Sequence, residues 1–490
     1  MIRTTAGYDV IVVGGGNAGF SAAHAAAERG RHVLLVERGT PGMAGGNSFY
    51  TAGATRINHA GLDDIVDFVE PDERHQRSEV PPYSPAEYLA DLNKVTEGRT
   101  DAELAGVLVA EAQDTVRWLH SLGLRYRLMY ERQAYERPDG SFLFFGGLHL
   151  GNVDGGQGLM AEHRRAAERL GVAVRHSAAV DELVVEGGRV VGVRGTTSGG
   201  RAEWRAESTV LAAGGFEADP ARRRDHLGRG WEHARVRGTP HDTGEVLAAA
   251  LGIGAAKGGD WGSAHSVQWD AWHPDNEGNR QLTNRLTRQS YPLGIIVNRD
   301  GRRFVDEGAD FRNYTYARYG RVILEQPGSI AFQLFDGRLR PLLRAEEYDM
   351  PGVSVVEAPT VPELARRLGI DPATLAATVD EFNASIDTTV AFDPTVKDGR
   401  MARVDPPKSN WASPLDHAPF YAYPVTCGIT FTFGGLRGDA DARVLDEGGR
   451  PIPGLFVCGE MLGGLFSGNY PGGSGLAAGM VFGRRAGLRA

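Results

Sequence analysis

Three glycines spaced Gly14-x-Gly16-x-x-Gly19, with Glu37 downstream, are the first residues here whose types and spacing suit chemistry. Gly14 permits a tight turn, Gly16 lets the backbone approach a pyrophosphate, and Gly19 lets the next helix pack close. The N–H groups at that helix start, near Asn17 and Ala18, carry partial positive charge and attract phosphate. Glu37, followed by Arg38, stands about twenty residues on, where a carboxylate accepts hydrogen bonds from a ribose. The chemistry implied is capture of a dinucleotide.

Such a site needs a strand, a turn, a helix and a second strand. Residues 8–13 are a β-branched apolar run, 20–29 an alanine-rich helical stretch, and 32–36 a second strand. Two later strand-to-glycine segments, 208–216 and 454–460, and a glycine-rich start to a last helix, 468–477, extend the pattern. A nucleotide fold begun near residue 8 and completed near residue 477 suits the long flavin adenine dinucleotide, FAD, better than a nicotinamide cofactor. The fold class is α/β: a Rossmann-type FAD-binding domain split in sequence, with an inserted α+β capping domain.

A chain of 490 residues holds two or three domains. Its net charge of −9 argues against nonspecific nucleic-acid binding. No apolar run approaches the roughly twenty residues of a membrane span, so an integral membrane protein is not expected. With the first strand starting by residue 8, no signal region is expected, and the location expected is cytoplasmic. Cys427 and Cys458 form no CxxC pair and read as buried thiols in a reducing compartment. There is no ligand set for a metal, haem or iron–sulfur cluster. Residues 86–122 show apolar spacing near three and four, residues 172–193 read as a β-meander, and residues 261–288 as irregular, aromatic and polar. Residues 361–368 and 371–383 read as capped helices.

Gly45-Gly46-Asn47-Ser48 and the phrases at 301–314, 428–435 and 468–475 resemble the flavoprotein family of fumarate reductase and succinate dehydrogenase. Within it the likeness is greatest to the tricarballylate dehydrogenase branch. The resemblance implies an FAD domain at 1–260 and 416–490 and a cap at 261–415. It places Gly45 to Ser48 beside the flavin, Val180 beside the adenine, and Ala213 and Gly214 at the pyrophosphate. Gly459 and Glu460 would meet the ribitol. Gly473, Ser474, Gly475 and Leu476 would face the flavin N1–O2 edge, where a helix start stabilises the anion formed on reduction. The loop 45–51 lacks the histidine to which membrane-bound relatives attach flavin, so FAD is expected to be non-covalent.

The resemblance also implies a reaction: two hydrogens cross a carbon–carbon bond beside a carboxylate, one to or from flavin N5 and one as a proton. The family's proton-carrying arginine falls at Arg312 if one residue is inserted; Tyr314 and Tyr316 are rivals. His273 falls near a substrate-binding histidine, and Thr287-Arg288 replaces the family's Thr-Glu pair. Thr430-Phe431 and Tyr470 stand where fumarate-type enzymes keep a histidine and an arginine for the ends of a C4 dicarboxylate. Succinate and fumarate are therefore expected to be held poorly. Arg56, Arg338 and Arg340 are further candidate cations, and the arginine-rich run 221–237 is either a solvated face or an anion-guiding rim.

These readings point to an FAD-dependent dehydrogenase forming an enoate from a tricarballylate-like carboxylic acid. Electrons would pass to a separate acceptor protein or quinone-linked partner. The same site run backwards is an enoate reductase. Desaturation of a ring ketone or specialised metabolite, and a substrate-free electron-transfer flavoprotein, are the other readings.

Overall fold

The computed structural model describes residues 3–490. The chain folds into two compact units. The first comprises Met1–Arg229, Gly238–His265 and Thr430–Ala490; the second comprises Gly230–Arg237 and Ser266–Ile429. The junctions His265/Ser266 and Ile429/Thr430 fall inside two long strands, Lys257–Asp270 and Phe420–Leu436. They lie 5 and 14 residues beyond the sequence-based divisions at 260/261 and 415/416.

In the first unit, β1 (Arg3–Val13) leads through the glycine turn into α1 (Asn17–Glu28) and then β2 (Val33–Val36). Val10 to Val13 and Val33 to Val36 are buried, as parallel strands covered on both faces must be. The stretch read as helical at 86–122 is two helices, α2 (Pro85–Val95) and α3 (Ala102–Ser121). The break is local chemistry: Ser84 and Glu87 form a capping box at the first, and Asp101 accepts from the Glu103 and Leu104 amides at the second. After α4 (Gly155–Arg169) come β3 (Ala173–Arg175), β4 (Ala178–Glu186), β5 (Arg189–Thr197) and β6 (Gly200–Leu211). The sheet order is β4-β5-β6-β1-β2-β3, and strand Pro451–Val457 pairs in parallel with the end of β6.

The C-terminal helix, Ser474–Arg489, packs along α1 through glycines one turn apart. A Cβ added at Gly483 would lie 2.4 Å from the Ala18 carbonyl oxygen, and one at Gly487 2.1 Å from that of Ala22. Small residues on both helices are thus what bring the two helix starts side by side.

The second unit is built on a sheet in which Phe420–Leu436 pairs with Arg235–Val236, Ala331–Asp336, Val356–Ala358 and Lys257–Asp270; Ile295–Asn298 continues it from Ala331–Asp336. Helices Val361–Leu368 and Pro372–Ala384 start at Thr360 and Asp371, whose side chains accept from Glu363 and Thr374 amides. Leu364, Leu375, Val379 and Phe382 pack with Phe332 and Leu334 in one core. Each fully buried side chain of this size contributes about 1.5–3 kcal/mol. No helix among the described residues is long and apolar enough to cross a membrane.

Candidate active site

The glycine turn is built as its spacing demands. Gly14 has φ +106°, and a Cβ there would sit 2.2 Å from the Ala212 carbonyl oxygen of the chain leaving β6. One at Gly19 would sit 1.9 Å from the Gly14 carbonyl oxygen. Glu37 is buried, and its carboxylate accepts from the Gly15 amide at 2.7 Å and the Gly39 amide at 2.6 Å. Beyond any contact with a ribose, it ties the turn to the end of β2. Arg38 is half-exposed and donates to Thr243 Oγ1 and Glu245 Oε2. Val180 lies in β4.

Gly45 and Gly46 both have positive φ and lead into a short turn starting at Asn47. Asn47 Nδ2 donates to Glu217 Oε1 at 2.5 Å and to the Thr430 carbonyl at 2.7 Å; its Oδ1 accepts from the Thr239 amide at 2.9 Å. Ser48 Oγ accepts from the Asn17 amide at 3.0 Å. The loop thus joins the glycine turn to three distant segments. Beside Gly214, which has φ +77°, carboxylate oxygens of Glu217, Asp242 and Glu460 lie within 4.8 Å of one another. Removal from water and mutual repulsion hold Glu217 and Asp242 well above the ordinary carboxyl range. Burial pushes Glu460 up to about 7, while its Oε1 accepts from the Thr432 amide at 2.7 Å. Ala213 N donates to Met461 Sδ, and Gly459 approaches the start of α1, where a Cβ would be 2.8 Å from Ala18 Cβ.

The C-terminal helix starts after Gly473, which has φ +84°. Asn17 Nδ2 donates to the Leu476 carbonyl at 3.0 Å, and Tyr88 Oη to Ser474 Oγ at 3.0 Å. Beside Gly475 lies an aromatic cluster. His265 stacks on Phe431 with centroids 5.2 Å apart, and Tyr470 meets both edge-on at 4.8 and 5.2 Å. A Cβ at Gly475 would contact Phe431 and Tyr470 at 3.7–3.8 Å. Sequence reasoning singled out Thr430, which is buried here, and Tyr470, but missed His265.

In the second unit Arg312 begins a single 3-10 turn, Arg312–Tyr314. The phrase before it is anchored by the buried Arg303–Glu307 ion pair at 2.5 Å, with Glu307 also accepting from the Ile296 amide. Arg312 Nη1 donates to Gln289 Oε1 at 2.8 Å, and Arg344 Nη1 donates to the same oxygen at 3.0 Å. Two guanidinium nitrogens therefore lie within about 6 Å of each other around one neutral acceptor. Glu347, buried, pairs with Arg344 at 3.2 Å and accepts from the Gln289 amide. Tyr314 and Tyr316 are half-buried nearby in sequence.

Arg288, the residue before Gln289, is wholly buried. It donates to Asp270 Oδ2 at 2.6 Å and to the Arg285 and Thr287 carbonyls. Asp270 also accepts from the His273 amide, but the His273 imidazole accepts from the Asp275 amide in its own surface turn. Asp270 joins Arg288 to the His273 backbone, and Gln289, the next residue along the chain, holds Arg312 and Arg344. Gln289 and Arg344 carried no motif. Arg56 is also wholly buried, and Arg338 and Arg340 are engaged by Asp416 and Asp349. The run 221–237 is not one solvated face, because Arg223 and Arg237 are buried against the Glu217 carbonyl and Asn284.

The first unit fits FAD. Gly16 and Gly473 start helices with no side-chain cap, leaving backbone donors for a diphosphate and an anionic ring edge. Residues 9–476 match the family described as FAD binding domain, and the chain belongs to it. The chain is an FAD-dependent oxidoreductase acting on CH–CH groups. The probable fumarate reductase Ifc3 of Shewanella frigidimarina is 30% identical over 98% of this chain and 74% of its own length. The 4-oxocyclohexanecarboxylate 2-dehydrogenase of Sinomonas cyclohexanicum is 30% identical over 98% of this chain and 92% of its own. Among solved structures, the open conformation of a flavocytochrome c3 fumarate reductase is similar with a TM-score of 0.72 at 28% identity, covering 99% of this chain and 78% of that one.

Proposed function

We propose that the protein desaturates the bond α,β to a carboxylate in a tricarballylate-like polycarboxylic acid. The observation that carries this reading is the Arg312–Gln289–Arg344 cluster, two cations gathered where the resemblance puts the proton carrier. Bound FAD supplies a two-electron acceptor. Gly14 to Gly19, Glu37, Gly45 to Ser48, Gly214, Glu460 and Ser474 to Leu476 hold it. Arg312 releases one guanidinium proton to water and takes the substrate's in its place, so its charge is unchanged over the step, while Arg344, itself paired with Glu347, holds the Gln289 oxygen that orients it. Arg288, neutralised by Asp270, braces the segment that carries Gln289. The cation-binding positions of fumarate-type enzymes are Thr430, Phe431 and Tyr470 here, which disfavours a C4 dicarboxylate. Electrons leave to a separate protein or quinone-linked acceptor. The test is a dye-coupled assay in both directions. Oxidation of tricarballylate faster than reduction of its enoate supports the reading; turnover only with reduced dye and enoates makes the protein a reductase.

A second reading has its own observation. The His265–Phe431–Tyr470 cluster sets three packed aromatic rings beside Gly475 at the start of the C-terminal helix, a lining chemically suited to a flat cyclic substrate. The likeness to a dehydrogenase of 4-oxocyclohexanecarboxylate points the same way. Turnover of cyclic keto acids with no response to polycarboxylates would favour it.

A further inference from the structure

Arg56 is the largest fully buried side chain of the first unit, and nothing in the proposed reaction uses it. Its position is specific. Its Nε donates to the Gly472 carbonyl at 2.9 Å, and its backbone N–H donates to the Gly473 carbonyl at 3.2 Å. Both glycines form the turn that starts the C-terminal helix. Its Nη1 donates to Tyr83 Oη at 2.8 Å and lies 3.3 Å from Asp91 Oδ2. The guanidinium also lies 5.9 Å from the ring centre of Tyr88, whose hydroxyl donates to Ser474 Oγ in the first helical turn.

The ion pair is lopsided. The Arg56 side chain is 0% exposed, whereas that of Asp91 is 17% exposed. Water screens the anion more than the cation, so a net positive field remains at the helix start. It adds to the positive end of the helix dipole.

We infer that Arg56 is an electrostatic positioning residue for the cofactor, its buried cation behind the first turn of the C-terminal helix making two-electron reduction of FAD easier. This rests on Ser474 to Leu476 facing the flavin pyrimidine edge, and it holds whichever substrate is used. Arg56 is therefore not a substrate clamp but part of the setting of the flavin potential, with Asp91 as its partial counterweight.

The test is the reduction potential of bound FAD in the intact holoenzyme, measured by anaerobic equilibration with a reference dye. D91N removes the counterweight and keeps an acceptor for Tyr83. It is expected to raise the equilibrium constant for two-electron reduction about tenfold, or about 30 mV. R56M is expected to lower it by a similar factor, and R56K to restore it towards wild type. If R56M does not fold, D91N decides alone. A merely structural Arg56 would lower the melting temperature and FAD affinity in R56M while leaving the potential unmoved in D91N and R56M, which overturns the inference. S474A separates the two ways to fail. If it shifts the potential and D91N does not, Arg56 has no electrostatic part; if neither shifts it, the helix start does not face the flavin.

Discussion

Glu37 separates two accounts of the dinucleotide fingerprint. As a ribose acceptor it acts only on the bound cofactor; as found here it also holds the glycine turn. Its two carboxylate oxygens accept from the Gly15 amide at 2.7 Å and the Gly39 amide at 2.6 Å. Each such bond to a charged group contributes about 1.5–3 kcal/mol when buried. Glu37→Gln keeps one acceptor oxygen and turns an NH2 group towards the other amide, so one bond is lost and one N–H is stranded. A loss of about 2 kcal/mol in the first unit is expected even without FAD. If binding requires the turn to be restored, the FAD dissociation constant rises about thirtyfold. The assay is a thermal melt of apoprotein and holoprotein together with a fluorescence titration of FAD. Weakened FAD binding with an unchanged apoprotein melt would refute the argument and leave Glu37 a ligand contact alone.

Three further outcomes follow from the same geometry. Arg312→Lys should lower kcat by about 10²–10⁴-fold with FAD binding and melting unchanged, because general acid–base groups contribute that much; a loss confined to KM would make Arg312 a carboxylate clamp. Gly483→Ala places a Cβ 2.4 Å from the Ala18 carbonyl oxygen and should destabilise the protein by about 1–3 kcal/mol, read by thermal melting. Glu217→Gln tests the buried carboxyl cluster. Carboxyls whose folded pKa is raised add stability at low pH that is lost as pH rises through the folded value, here from about 4.5 to about 7 for Glu460. The wild-type melting temperature should therefore fall across that window from this cluster, and the variant, with one carboxyl fewer, should fall less; an equal or steeper fall contradicts the assignment.

What was legible in the sequence was local and periodic. The βαβ unit shows itself because Val10 to Val13, Gly14 to Gly19 and Val33 to Val36 each have one physical task within a few residues. The caps at Thr360 and Asp371 are equally local. The strand Lys257–Asp270 reads as irregular in sequence because Gly258, Gly259 and Gly262 open it and Ser263, His265, Ser266, Gln268 and Asp270 are buried polar residues, leaving apolar alternation only at Val267 and Trp269. The helix break before Asp101 is marked in the sequence by residues 96–101, Thr-Glu-Gly-Arg-Thr-Asp, which carry no apolar side chain, and a reading of the flanking apolar spacing alone passes over it. His265, Gln289 and Arg344 could not be found by motif. Gln289 meets Arg312 and Arg344 across 23 and 55 residues, and His265 meets Phe431 and Tyr470 across 166 and 205, distances that only the folded sheets close. Arg56 reads as a candidate cation because it lies near the flavin loop, whereas in the fold it is wholly buried with the Gly472 carbonyl, Tyr83 and Asp91 as partners.

The most direct test of the central claim is anaerobic titration of the FAD-loaded protein with tricarballylate, succinate and a cyclic ketone, following the visible flavin absorbance. Bleaching by tricarballylate, with little or none by succinate, is the predicted result. Bleaching by the ketone alone, or by none of the three while FAD is demonstrably bound, would contradict carboxylate desaturation.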